Sequence, residues 1–117
     1  MRPIPPKLRE ELQSKPEYKA CMRRQALKDH VCEADPLTGK LIEWEHSIIF
    51  GGRQINEEWA IVPICYLCHR GGMLNKEINV WLALNRATDD ELRAVSKAVD
   101  YIRERARLNS KYGIPKL

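Results

Sequence analysis

The chain has 117 residues, the size of one domain, and no change in composition divides it into two independently folding halves. Twenty Lys and Arg against sixteen Asp and Glu give a net charge of +4, which permits a polyanionic partner without establishing one. Prolines and charges interrupt residues 1–13, where a secretory signal would need an apolar run, and no stretch approaches the roughly 20 apolar residues of a membrane-spanning helix. We therefore expect a single soluble, cytoplasmic domain over residues 1–117.

The amino-terminal half predicts two short helices followed by two strands. Residues 7–13 form a helix after a proline-rich start, and residues 18–28 form a second, basic helical stretch. A strand is expected over residues 41–46, after turn-forming residues, and Gly51-Gly52 then breaks the chain. The apolar run 59–64 is a second strand, in which proline marks an edge or an end. The two strands predict an irregular hairpin.

The carboxy-terminal half is predicted to be helical over about residues 75–109. Thr88 and Glu91 have the spacing of a capping box, which satisfies backbone amides at the start of a helix. One long helix is expected from there to Gly113 and Pro115. Its apolar stripe, at three- and four-residue steps, is Leu92, Val95, Val99, Ile102 and Ala106. This stripe and the three tryptophans, Trp44, Trp59 and Trp81, are expected to pack in the core of an α+β domain.

Four cysteines indicate a structural zinc site. Cys65 and Cys68 have the Cys-x-x-Cys spacing with which a tight turn presents two thiolates to one tetrahedral zinc ion. Cys21 and Cys32 are the second pair, although their spacing is less regular, and His30 is a spare candidate. A reducing cytosol argues against disulfides, so the alternative is four unrelated buried thiols.

A second group of motifs lies between the two cysteine pairs. An acidic residue and a histidine end the first strand in Glu45-His46, Gly51-Gly52 follows, and residues 62–69 read Val-Pro-Ile-Cys-Tyr-Leu-Cys-His. In this order the motifs resemble the HNH endonuclease family, over about residues 21–72. The flanking helices are typical of small phage-borne relatives, whose setting would be a bacterial or phage-infected cell.

The resemblance implies a ββα-metal fold, in which two strands and a helix hold one divalent cation and a cysteine zinc cluster staples the motif. It makes His46 the general base and His69 a ligand of the catalytic cation. Glu45 occupies the acidic position, aspartate in most relatives, that also binds the cation in several branches. The implied substrate is DNA, cut to leave a 5′-phosphate and a 3′-hydroxyl.

One position departs from the family pattern. The central asparagine, which braces the loop carrying the base, falls by spacing on Ala60, whose side chain cannot brace anything. Asn56, four residues earlier, is a candidate for that task if the loop has a different shape. Otherwise the backbone must hold His46 unaided.

The residues support this chemistry without the family name. Phosphodiester hydrolysis needs a base for water, which a histidine near neutral pH supplies, and a Lewis acid for the phosphate, which Mg²⁺ or Mn²⁺ supplies. Closed cysteine sites cannot do this, so the expected zinc is separate. Arg53, Gln54 and Lys40 flank the hairpin and are candidates for phosphate contacts, with a solvated polar loop as the equal alternative.

Other interpretations of the same residues stay open. Taken alone, His46 is a surface or core histidine, and His69 is a zinc ligand beside Cys68. A zinc-stabilised DNA-binding or scaffold module without catalysis is the main competing function, and Ala60 is its chief support. An RNA-directed nuclease is a third. The sequence leaves the choice between monomer and dimer undecided.

Overall fold

The computed structural model describes residues 4–27, 42–47, 49–50, 53–65, 73–97 and 99–115. Over these residues the chain is an α+β protein, as expected from its sequence. The helices are α1 (Pro6–Gln13), α2 (Met22–Leu27), α3 (Met73–Arg86), α4 (Asp89–Val95) and α5 (Tyr101–Tyr112), and the strands are β1 (Ile42–His46), β2 (Ile49–Phe50), β3 (Arg53–Gln54) and β4 (Ile61–Cys65). None of the described helices has the length and apolar composition needed to cross a bilayer.

The two predicted strands pair with each other. β1 and β4 form an antiparallel ladder that runs from Ile42 opposite Cys65 to His46 opposite Ile61. β2 and β3 form a second, shorter antiparallel ladder inserted between them in sequence. Pro63 is tolerated within β4 because, among the described strands, β4 pairs with β1 alone and keeps an open edge.

The second strand begins later than its apolar run predicts. Glu58–Ala60 form a 3-10 turn, so the prediction of strand at Trp59 and Ala60 was wrong. Both side chains are nonetheless buried. Their apolar character reflects burial and not strand geometry. In so short an apolar run, periodicity cannot distinguish a buried turn from a buried strand.

The amino-terminal segment also differs in detail from its prediction. α1 begins at Pro6, a residue suited to the first helical turn because its missing N–H has no partner there. The second helical stretch is divided into a 3-10 turn over Pro16–Lys19 and the short helix α2, with Ala20 extended between them. A continuous helix from residue 18 was therefore wrong.

The β1–β4 sheet has apolar residues on both faces, so it is covered on both. Val62 and Ile64 face the larger core cluster, which also contains Ile78, Trp81 and Leu82 of α3. On the opposite face, Ile61 packs in a smaller cluster with Ile4, Leu12 and Tyr18, and Trp44 packs against it. The strand that carries Glu45 and His46 therefore lies between two separate clusters.

Arg86, at the end of α3, holds the 3-10 turn and the start of β4 in place. Its guanidinium donates to the carbonyl oxygens of Glu58 at 3.1 Å and Ile61 at 2.8 Å, and also to the hydroxyl of Tyr18. The Tyr18 hydroxyl donates in turn toward the same two carbonyls. Hydrogen bonds to a charged donor are among the stronger ones in proteins, so this network fixes the segment after which β4 begins.

The predicted long carboxy-terminal helix is two helices. The capping box at its start is confirmed, because the Glu91 N–H donates to Thr88 Oγ1 at 3.1 Å and the Thr88 N–H donates to Glu91 Oε1 at 2.9 Å. The helix then ends at Val95, where Ser96 Oγ donates to the Leu92 carbonyl and accepts from the Tyr101 N–H. A serine that bonds nearby backbone groups competes with helical hydrogen bonds.

The break displaces the predicted apolar stripe. Asp100 caps α5 by accepting from the Arg103 N–H, and the new helix buries Leu108 instead of Ala106. Val99, placed in the stripe by its spacing, is 45% exposed. The predicted stop is confirmed, since Gly113 ends α5 with a φ of 88°, a conformation that glycine adopts without strain.

Trp81 joins α3 to the end of the chain. Its indole N–H donates to Asn109 Oδ1 at 2.9 Å and to the Gly113 carbonyl at 3.1 Å. Asn85 and Asn109 exchange hydrogen bonds beside it. Trp59 and Trp81 are buried and Trp44 is half-buried against the smaller cluster, so the prediction that the tryptophans serve the core is confirmed.

Candidate active site

His46 ends β1 at the boundary between the sheet and solvent. Its Nε2 lies 2.8 Å from Oδ1 of Asn56, a residue exposed on the segment after β3. A carboxamide oxygen can only accept, so Nε2 carries the proton and donates. In a neutral imidazole that makes this hydrogen bond, the lone pair lies on Nδ1. The contact therefore fixes the orientation of the imidazole ring.

Asn56 is held close to His46 by the segment on which it lies. The preceding residue, Ile55, is buried in the larger core cluster and anchors the chain after β3. The 3-10 turn that follows is fixed by Arg86. Asn56 thus projects from a short segment that is anchored on both sides, and sequence spacing had named it as a candidate for this contact.

Ala60 contributes through its backbone. Its side chain is fully buried, but its carbonyl oxygen accepts from the N–H of Ser47 at 3.0 Å. This bond continues the β1–β4 ladder by one residue beyond His46. Ala60 thus steadies the backbone after the histidine, while Asn56 holds the ring.

Glu45 lies next to His46 in sequence but on the other face of β1. Successive side chains of a strand point to opposite faces, and Glu45 is 8% exposed on the face that packs against α3. There its Oε2 accepts from Nδ2 of Asn79 at 2.6 Å. A buried carboxylate needs such a partner, because burying a charge without one is costly.

Sequence reasoning missed Asn79. It lies on α3 within a run of apolar residues, is 1% exposed, and donates to a side chain 34 positions earlier. The available signal was a single amide in an otherwise apolar buried segment, since buried polar side chains are normally hydrogen-bonded. The spacing of residues in the sequence could not identify Glu45 as its partner.

The structure describes half of the expected zinc ligands. Cys21 and Cys65 are both buried in the larger core cluster, at the start of α2 and the end of β4. Cys32 and Cys68 lie outside the described residues, as do His30 and His69. Within the described ranges, no group of three or more His, Cys, Asp or Glu side chains is placed to hold a metal ion.

The predicted phosphate contacts are described only in part. The backbone of Arg53 is part of β3 and lies opposite Phe50, but the structure does not describe the Arg53 side chain. Gln54 follows it in β3 with a half-buried side chain. Lys40 lies outside the described residues. Of the three residues, the structure locates the side chain of Gln54 alone.

The described site therefore consists of an oriented imidazole at the surface and a hydrogen-bonded carboxylate behind it. The imidazole can accept a proton from water through Nδ1, and the carboxylate can contribute an oxygen ligand to a cation. No family model, curated protein or solved structure matches this chain in comparisons with known proteins.

Proposed function

We propose that the protein is a metal-dependent DNA endonuclease that hydrolyses phosphodiester bonds to a 5′-phosphate and a 3′-hydroxyl. The observation that supports this most directly is the hydrogen bond between His46 Nε2 and Asn56 Oδ1. It fixes the ring of a half-exposed histidine at the end of a strand and engages Nε2, so the proposal assigns Nδ1 to the attacking water. The order of motifs between Glu45 and His69 supplies the second support.

In this proposal His46 is the general base. Nδ1 takes a proton from a water molecule as the water oxygen forms a bond to phosphorus. The bond from phosphorus to the 3′ oxygen breaks, and that oxygen takes a proton from solvent. A positioned general base contributes about 10²–10⁴-fold to the rate of such a step. Asn56 is a positioning residue, because it acts on the reaction through the imidazole.

Glu45 and His69 are the residues proposed to hold the catalytic cation. A bound Mg²⁺ or Mn²⁺ would supply charge neutralisation at the phosphate and at the departing oxygen. The chemistry of the side chain suits this use, although Glu45 points to the face of β1 opposite His46: a carboxylate has about four acceptor positions, and carboxylates that bind metals commonly receive a hydrogen bond from a neighbouring side chain. Asn79 is such a neighbour.

The zinc site is proposed to use Cys21, Cys32, Cys65 and Cys68. Cys21 and Cys65 already share one core cluster although they are far apart in sequence, which fits a site that joins α2 to the end of β4. A measured content of one zinc per chain, lost in Cys65→Ser, is expected. Full retention of zinc in that variant would exclude this ligand set.

Plasmid cleavage tests the proposed function. We expect the purified protein to nick or linearise DNA with Mg²⁺ or Mn²⁺, and a chelator to stop it. His46→Ala should lower the rate by about 10²–10⁴-fold, and Glu45→Gln should lower it while keeping an acceptor for Asn79. The exposed Glu57→Gln, close to the site, is the matched control and should cut normally. Equal cleavage by His46→Ala and wild type would refute the proposal.

A DNA-binding module without catalysis is the second candidate. It is favoured by the position of Glu45, which points toward the core and away from the face that carries His46. A buried carboxylate bound by an amide can be purely structural. DNA binding without chelator-sensitive cleavage, across several metals and DNA structures, would select this function over the first.

A further inference from the structure

A cleft of about 420 Å³ opens between α1, the 3-10 turn Pro16–Lys19 and β1. Arg9 and Gln13 line it from the α1 side, Lys19 from the turn, and Glu43 and Trp44 from the strand. Of these residues, Trp44 alone has a role expected from the sequence, as part of the core. We refer to this feature as the β1 cleft.

Trp44 is the fixed wall of the β1 cleft. Its indole N–H donates to the Tyr18 carbonyl at 3.0 Å, and its ring meets the Tyr18 ring edge to face with centroids 5.6 Å apart. The guanidinium carbon of Arg9 lies 5.8 Å from the centroid of the indole. A cation held over an aromatic face keeps its charge and most of its donors available to a ligand.

The cations of the β1 cleft are not neutralised by carboxylates within the described part of the chain. Neither Arg9 nor Lys19 forms an ion pair there, whereas the cations of the carboxy-terminal helices are largely paired. Examples are Arg107 with Glu104 and Lys111 with Glu77. With Glu43 as the acidic residue of its lining, the cleft has an excess of positive charge.

The β1 cleft lies on the same face of the strand as His46. Trp44 and His46 are two positions apart, and side chains at that spacing point to one side. Two residues of a strand extend about 6.6 Å, close to the axial rise of two base steps in DNA. A nucleic-acid strand with one phosphate at the imidazole therefore reaches the cleft within a few nucleotides.

We propose that the β1 cleft binds the phosphate backbone of the DNA strand being cut, with Arg9 and Lys19 contacting phosphates and Gln13 donating to the same backbone. This inference rests on the proposed nuclease function and extends it, because it names a surface that holds the substrate beside His46. Contacts of this kind set the position of the strand and carry no sequence information.

Binding measured without cleavage tests the β1 cleft. The background is His46→Ala in buffer without added Mg²⁺ or Mn²⁺, and the probe is a short fluorescent DNA, single-stranded or duplex, followed by anisotropy at several salt concentrations. The double substitution Arg9→Gln with Lys19→Gln is expected to weaken binding about tenfold or more at low salt. It should also reduce the slope of log affinity against log salt by about 0.7–0.9 for each phosphate that the variant no longer neutralises.

A matched control makes the same change of charge elsewhere. Lys97 and Arg103 are exposed, lie outside the cleft and form no ion pair with a described residue. The pair Lys97→Gln with Arg103→Gln should leave affinity and slope near those of the background. Arg9→Lys with Lys19→Arg, which keeps both charges, should bind within a few fold of it, and thermal unfolding of each variant verifies the fold.

The outcomes separate this inference from the function on which it rests. Weaker DNA binding by the Arg9/Lys19 double variant alone would support the β1 cleft as the binding surface. Equal weakening in this variant and in the Lys97/Arg103 control, or no weakening in either, would overturn it. Binding that depends on the cleft in a protein that never cuts DNA would refute the nuclease and leave the binding surface standing. An RNA of the same sequence that displaces the DNA with higher affinity would overturn the assignment to DNA.

Discussion

Glu45 and His46 are neighbours in β1, yet their side chains are held by different parts of the molecule. Glu45 is bound by Asn79 on the face covered by α3, and His46 is bound by Asn56 on the other face. Each side chain has a hydrogen-bond partner that fixes its direction, and the two partners lie in different elements. A substitution at Asn79 should therefore disturb Glu45 alone, and one at Asn56 should disturb His46 alone. Separate experiments can test the two contacts.

In the proposed nuclease, removing the contact on His46 should impair catalysis with little effect on substrate binding. In Asn56→Ala the imidazole is free to turn, and we expect kcat to fall by about 10–100-fold, as for other small misplacements of a reacting group. KM should change little, because the contact does not involve substrate. Asn56→Asp keeps an acceptor oxygen and should recover most of kcat. A fall in KM and kcat that Asp does not rescue would contradict the positioning role.

The bond between Glu45 and Asn79 should contribute to stability as a coupled pair. Asn79→Ala leaves the carboxylate buried without this donor, and we expect the free energy of unfolding to drop by about 1–3 kcal/mol. The double variant with Glu45→Ala should lose less than the sum of the single changes, because each single change already removes the shared bond. Urea denaturation of all four proteins measures the coupling, and strict additivity would contradict it.

Tyr18 should make stability depend on pH in the alkaline range. Burial raises the pKa of Tyr18 to about 12, although the charge of Arg86 acts in the opposite direction. Between about pH 10, the ordinary tyrosine pKa, and pH 12 the unfolded chain loses this proton while the folded chain keeps it. The contribution of Tyr18 is therefore complete below about pH 10 and is lost as pH rises through about 12.

Tyr18→Phe provides the comparison. At about pH 8 it should be less stable than wild type by about 1–3 kcal/mol, since it loses the hydroxyl that binds the Glu58 and Ile61 carbonyls. The gap should narrow between about pH 10 and about pH 12, because the variant cannot ionise there. Unfolding in urea at a series of pH values measures both quantities. A gap of constant size across this range would contradict the raised pKa.

Glu77 should make stability depend on pH in the acid range. Hydrogen bonds from Lys111 and Tyr112, each 2.7 Å long, lower the pKa of Glu77 below its ordinary value of 4.5. The stabilisation is therefore complete above pH 4.5 and is lost as pH falls through the lowered pKa. At about pH 7, wild type should melt at a higher temperature than Glu77→Gln. This difference in melting temperature should shrink toward about pH 3. Glu10→Gln, an exposed carboxylate on α1, should show no such difference at either pH.

Local patterns predicted the elements that depend on nearby residues. The Thr88 and Glu91 capping box, the stop at Gly113 and the first strand all follow from spacings of a few positions. The same patterns failed at Ser96, where a single side chain redirected two backbone groups and divided an apparently continuous helix. Apolar residues at three- and four-residue steps can continue across such a break. The pattern depends on which side chains are buried and not on whether the backbone stays helical.

The sequence by itself determined the α+β class, the tryptophans of the core and the candidate residues His46, Glu45 and Asn56, because these depend on residue type and short spacing. Only the tertiary structure decided that Asn56 holds the imidazole, that Asn79 holds the carboxylate and that Arg86 secures the segment before β4. Those contacts join residues 10, 34 and 25 positions apart. The partners of Asn79 and Arg86 are reached because α3 packs against the sheet, and Asn56 reaches His46 because the chain after β3 returns to the end of β1; no local periodicity encodes either approach.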